Sequence, residues 1–154
     1  YLGVEKQYTS EELASSDTTM IRATGYELTV AISMVQNQGL NARTVGTGNT
    51  VTGQVPAAGV TIPGGSTVIL YLGDEQPEDQ VEVPDLSGLS PSRAKETLEN
   101  LGLFLRATGV SDYTDSTVEA VSQAIEEGTM VSPGTVVEVR FISNVIDYAP
   151  QENL

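Results

Sequence analysis

"GYELTVAISMVQNQGLNARTVG", residues 25–46, lies over "GLSPSRAKETLENLGLFLRATG", residues 88–109, at a shift of 63. Ala31 meets Ala94, Asn37 meets Asn100, Leu40 meets Leu103, Arg43 meets Arg106 and Gly46 meets Gly109. Farther along, the shift becomes 69, with Gln54 over Gln123, Gly59 over Gly128, Gly65 over Gly134 and Val68 over Val137. The shifts differ by six residues, which places an insertion near "SDYTDS", residues 111–116, a stretch that reads as a hairpin tip. Self-similarity of this kind marks one structural unit used twice.

The boundaries follow from the repeat. Residues 1–16 form a lead-in, 17–74 the first unit, 81–143 the second, and 144–154 a tail. The acidic, proline-containing "DEQPEDQ", residues 74–80, supplies a short solvated linker over 75–80. A unit of roughly 60 residues buries only about 60% of the surface its unfolded chain exposes, so each copy gains from contact with the other.

Each copy reads as a helix followed by three strands, an α+β pattern. Leu28, Ala31, Ile32 and Val35 repeat at i, i+3, i+4 and i+7, and Ala94, Leu98 and Leu101 do the same in the second copy. Ser90 is placed to cap its helix, with Pro91 at the first helical position, where a missing N–H does no harm. Gly39 and Gly102 sit where a left-handed residue ends each helix, and Leu40 and Leu103 supply the apolar contact that accompanies such an end. Strands are predicted at 40–45, 50–55 and 66–72, and at 103–108, 117–124 and 135–142. "IPGG" and "SPGT" mark turns before the last strand of each copy. "VEVP", residues 81–84, opens the second copy in extended form, and its counterpart near Met20 and Ile21 is weaker.

Composition removes several function classes. The net charge is −14 with only seven basic side chains, so nucleic acid and anionic lipid are poor partners. Cysteine and histidine are absent, which removes disulfides, thiolate nucleophiles, imidazole bases and most zinc sites. No cofactor is implied. No run of 18 apolar residues is present, so direct membrane insertion is not expected, and the start at "YLGVEKQY" reads as a soluble piece of something longer.

One motif suggests catalysis. Ser92-Arg93-Ala94-Lys95 fits S-x-x-K, the pattern that supplies a nucleophilic serine and its lysine in penicillin-recognising enzymes. The companion K-T-G and S-D-N elements are missing, and Lys6 and Lys95 are the chain's two lysines. The repeat also places Thr29, Val30, Ala31 and Ile32 opposite the tetrapeptide, so the helix is shared and the serine–lysine pair is not. The stretch therefore reads as an exposed helical face and the chain as no enzyme. The acid pair Glu126-Glu127 reads as a solvated turn rather than a general acid and base.

The same residues carry a family resemblance. "VPDLSGLSPSRAKETLENLGL" and "VEAVSQAIEEGTMVSPGTVVEVRF" in the second copy, and "VTGQVPAAGVTIPGGSTVILYLG" in the first, resemble the PASTA repeat of penicillin-binding proteins and serine/threonine kinases. The resemblance spans roughly residues 17–143. Met20-Ile21 replaces the usual Val-Pro opening in the first copy, and Ile125 replaces a proline in the second. It implies two units, each one helix packed on a three-stranded antiparallel sheet.

The lead-in "YLGVEKQYTSEELA" resembles the join between a transpeptidase domain and a C-terminal PASTA pair, as in sporulation-type class B penicillin-binding proteins, and the tail "IDYAPQENL" suits a C-terminus. That implies a non-catalytic module on the extracytoplasmic face of the bacterial membrane, carried by a membrane-anchored peptidoglycan D,D-transpeptidase. It would serve cell-wall interaction, localisation or support of the catalytic domain. The alternative is a muropeptide-sensing segment of a membrane serine/threonine kinase. Implied partners are peptidoglycan fragments or a β-lactam, the transpeptidase domain of the parent chain, and cell-division or sporulation proteins.

Two sets of residues are candidates for such contacts. Arg43 and Arg106 are two of five arginines and occupy equivalent positions. An arginine can hold a stem-peptide carboxylate through two parallel hydrogen bonds, and the plainer alternative is pairing with a nearby acid. The second set is a docking face. Val137, Val139 and Phe141 alternate with Glu138 and Arg140, giving a buried and a wet face, whereas Val68, Leu70 and Leu72 alternate with Ile69 and Tyr71, apolar on both. The surplus face predicts a cover: the second copy, the lead-in with Tyr1, Leu2 and Tyr8, or a catalytic domain.

Overall fold

A computed structural model describes residues 17–110 and 117–143. The lead-in, the "SDYTDS" insertion and the tail lie outside the described residues.

The first unit runs β1 (Asp17–Thr19), α1 (Leu28–Asn37), β2 (Asn41–Val45), β3 (Val51–Val55), β4 (Thr61–Pro63) and β5 (Thr67–Leu72). The second repeats the order as β6 (Val81–Glu82), α2 (Pro91–Asn100), β7 (Phe104–Thr108), β8 (Val118–Gln123), β9 (Met130–Val131) and β10 (Val136–Ser143). All six strands expected from sequence form, within two residues of their expected ends. Two small ribbons, β1 with β4 and β6 with β9, complete the units. The first of them shows that the extended opening of the first copy lies at 17–19, just before Met20.

Each unit is α+β, but its sheet is mixed rather than antiparallel. The last strand takes the centre, with β5 parallel to β2 and antiparallel to β3, and β10 parallel to β7 and antiparallel to β8. The antiparallel expectation treats successive strands as hairpin neighbours. Here the excursions through β4 and β9 bring the last strand back between the first two. Burial explains why: β5 is apolar on both sides, and four of its six residues are buried, which suits a central strand.

The helix ends behave as their residues dictate. Ser90 Oγ accepts from the Arg93 amide at 3.2 Å, with Pro91 opening the helix. Gly39 and Gly102 take φ of 79° and 82°, a region that costs glycine nothing. Gly39 N–H then donates to Gln36 O and Leu40 N–H to Val35 O, and Gly102 and Leu103 do the same to Glu99 and Leu98. This double closure satisfies carbonyls that would otherwise lack partners. Leu101 departs from the expected apolar stripe: it caps α2 and is 38% exposed.

Two cores result. Ala31 and Val35 pack with Val51, Val68 and Leu70 in the first, and Ala94 and Leu98 with Val118, Val137, Val139 and Phe141 in the second. One residue crosses over. Phe104, which opens β7 of the second unit, is fully buried in the core of the first.

Candidate functional site

Strand alternation puts Ile69 and Tyr71 on the face of β5 opposite Val68 and Leu70. Ile69 is 2% exposed. A methyl group on Gly102 would sit 3.4 Å from Val55 Cγ1 and 3.6 Å from Ile69 Cδ1, and one on Gly134 would come within 3.0 Å of Pro56 Cβ. The second unit therefore lies against this face, and the two units share a seam.

Polar groups register the seam. Arg43 Nη2 donates across it to the carbonyls of Glu99 at 3.3 Å and Asn100 at 3.0 Å, at the C-terminus of α2. A cation there also meets the negative end of the helix dipole. Arg106 reaches the other way and grips Asp17 with two bonds of 2.9 and 3.1 Å. That pair is largely solvated, so it contributes under about 1 kcal/mol and fixes register more than strength. The two equivalent arginines thus each leave their own unit for the other.

Lys95 and Glu99 form the buried centre of the seam, 3% and 4% exposed. Lys95 Nζ stands 2.7 Å from Glu99 Oε2 and donates to Gly65 O at 3.2 Å, while Glu99 Oε2 also accepts from the Thr67 amide at 3.0 Å. Burial pushes the Glu99 carboxyl above its ordinary value, and Lys95 and Thr67 oppose the shift. This corrects the expected exposed helical face: Lys95 of the S-x-x-K stretch is inside, committed to a carboxylate one turn away and a carbonyl of the other unit. Ser92 is half-buried at the start of the helix.

A cleft of about 290 Å³ opens beside the seam, with Ile69, Val45, Val81 and Leu101 as apolar lining. Arg43 and Tyr71 stand with Glu75 and Glu78 around it. Burial raises the Tyr71 hydroxyl above its ordinary value; Arg43 opposes this, and Glu78 and Glu75 add to it. Arg43 Nε is buried with no hydrogen-bond acceptor among the described residues.

A second, wider cavity of about 400 Å³ lies on the second unit, lined by Asp85, Ser87, Ser122, Gln123, Glu126 and Glu127. Ser87 donates to Asp85 Oδ1 from its hydroxyl at 2.7 Å and its amide at 3.0 Å, holding that carboxyl below its ordinary value. Glu126 and Glu127 are exposed, as a solvated turn should be.

Sequence reasoning missed Gln54 and Gln123. Gln54 Oε1 accepts from the amides of Ala23 and Thr24, and its Nε2 donates to Ile21 O and Pro56 O. Gln123 accepts from Leu86 and donates to Pro84 O and Ile125 O. Each glutamine ties the opening loop of its unit to the middle strand segment. The signal was there: one polar residue type recurring at the same register position of the two repeats.

Two α+β units of one topology, joined along a seam, define a tandem repeat module. The profile of the PASTA domain matches residues 18–74 and 81–142, and the chain belongs to that family. PASTA domains are non-catalytic binding modules. No curated protein matches the chain. Among solved structures it is similar to penicillin binding protein 2X from Streptococcus thermophilus, with 12% identity and a TM-score of 0.35 over 83% of this chain and 17% of that one. A three-PASTA-domain of a Ser/Thr kinase from Staphylococcus aureus gives 19% identity and a TM-score of 0.31 over 80% of this chain and 64% of that one. The entire extracellular region of the Ser/Thr kinase PrkC from Staphylococcus aureus gives 19% identity and a TM-score of 0.30 over 81% and 46%. The chain spans less than two thirds of each of these. No described helix is long and apolar enough to cross a membrane.

The seam makes a direct prediction. Replacing Ile69 and Tyr71 together with lysine puts an ammonium at a 2% exposed site and removes the apolar surface that Gly102 approaches. The expected result is an opened pair: a larger hydrodynamic radius and lost cross-unit contacts in NMR, with amide protection of β8 and β10 retained. Unchanged radius and stability would sink the seam as the holding contact.

Proposed function

We propose that this PASTA pair is the non-catalytic C-terminal module of a class B penicillin-binding protein, engaging cell-wall peptide at the seam cleft while supporting the transpeptidase domain. The observation that carries the reading is the cleft itself. It sets a guanidinium beside a phenol, two carboxylates and an apolar floor. Peptidoglycan stem peptides carry carboxylates, ammonium groups and short aliphatic side chains together, and this lining offers a complement to each. The acids Glu75 and Glu78 add to the like-charge penalty that a net charge of −14 imposes on a purely anionic ligand, so the ligand that fits carries an ammonium group as well as a carboxylate. A muropeptide-sensing segment of a membrane serine/threonine kinase would use the same cleft; the lead-in "YLGVEKQYTSEELA" favours the transpeptidase parent.

Amide NMR titration with defined muropeptides, then with a β-lactam, tests the ligand. Saturable shifts at Val45, Ile69, Tyr71 and Leu101, lost in Arg43→Ala, are expected. Shifts confined to the Asp85 cavity would move the site, and none at millimolar ligand would leave the module with support alone.

A further inference from the structure

The surface of α1 differs from its repeat partner in one consistent way. Arg93, Lys95, Glu96 and Glu99 of α2 correspond to Val30, Ile32, Ser33 and Gln36 of α1, so every charged position has lost its charge. In a chain with a net charge of −14, a fully solvated helix is expected to keep some. Tyr26 and Val30 are 43% and 44% exposed, and Met34 is half-buried. Val30, Met34 and Gln38 are spaced by four, so they form one stripe along the helix, and Tyr26 lies just ahead of its first turn. At its end, Gln38 Oε1 accepts from Thr18 Oγ1 at 3.4 Å. The chain therefore enters the first unit at the foot of this stripe.

We infer that the stripe Val30–Met34–Gln38 is the docking face for the chain's own residues 1–16, through the apolar side chains Tyr1, Leu2, Val4 and Tyr8. Reach is sufficient. The 16 residues before Asp17 span about 24 Å if helical and about 50 Å if extended. The ten residues of α1 cover about 15 Å. The occupant starts at the stripe, so little loop entropy opposes docking. The uncharged helix also presents nothing to repel Glu5, Glu11 or Glu12 of the lead-in. This inference is independent of the ligand reading and of the parent protein.

The absence of cysteine allows a clean test on the whole chain. A nitroxide attached through Val4→Cys is expected to bleach the amide signals of Val30, Ser33 and Met34, while those of Ala120 and Glu138 in the second unit keep their intensity. Adding Val30→Glu and Met34→Glu, both on the outer side of α1, should restore the lost signals. Undiminished α1 signals, or loss spread evenly over both units, would overturn the inference. Loss that grows with protein concentration would assign the stripe to a second copy instead and overturn it equally.

Discussion

Glu99→Ala is expected to destabilise the chain by about 3–5 kcal/mol, read as a drop in urea midpoint at neutral pH. The pair it breaks is weak as a source of stability, because taking both charges out of water costs about what their attraction returns. The single substitution is severe for another reason. It takes the carboxylate away from the Lys95 ammonium inside the seam, which also donates to Gly65 O, and it strips the Thr67 amide of its acceptor. Lys95→Met with Glu99→Leu should therefore recover most of the loss. A shortfall of about 1 kcal/mol should remain for the part-buried Thr67 N–H, which regains some solvation. If the single and double variants were equally unstable, the seam would not be electrostatically arranged as described. The pH dependence has a definite sign. Folding raises the Glu99 carboxyl above its ordinary value, chiefly by burial, so its contribution is fully present below that ordinary value and fades as pH rises through the raised one. Glu99→Gln should lack this slope.

The contrast between what the sequence reveals and what it hides is clearest on α2. Ala94 and Leu98 announce a buried stripe because they are apolar and four apart. Lys95 and Glu99 have the same spacing and the same burial, yet hydropathy reads them as surface. Their partners, Gly65 and Thr67, lie about thirty residues away and in the other unit, where no local pattern can point to them. The repeat itself, both helix ends and all six main strands were legible, because each depends on local chemistry: a glycine that can take positive φ, a proline at a helix start, alternation along a strand. Strand order was not. Hairpin logic fails where β4 and β9 leave to form separate ribbons and the last strand enters the centre.

The candidate site was legible by position and not by geometry. Duplication singled out Arg43 and Arg106, and both proved to face the other unit. The surplus apolar face of β5 demanded a cover, with three candidates open. Which one supplies it turns on Gly102: lacking a side chain, the end of α2 comes down onto Val55 and Ile69. A glycine reads as a helix stop from sequence, and its second use, close approach, appears only with the partner in view.

Gln54→Leu is expected to cost about 3–4 kcal/mol, more than Gln123→Leu. Gln54 serves four backbone groups and Gln123 three. Leucine keeps the volume and removes every bond, so the change isolates hydrogen bonding. Ala23 is fully buried, and its amide would have neither glutamine nor water to accept it. Each such group costs about 1–3 kcal/mol, and the others, part-exposed, recover some solvation. The damage should be local first: faster hydrogen exchange at Ala23 and Thr24, with β7, β8 and β10 protected until the seam fails. Gln54→Glu separates the two halves of the clamp. Its carboxylate still accepts from Ala23 and Thr24, but it sets an oxygen against the carbonyls of Ile21 and Pro56. The variant should be poor at neutral pH and partly rescued by acid, where a protonated carboxyl can donate to one of them. A change within about 0.5 kcal/mol for Gln54→Leu, the range of an ordinary surface substitution, would mean that the opening loop holds without its glutamine.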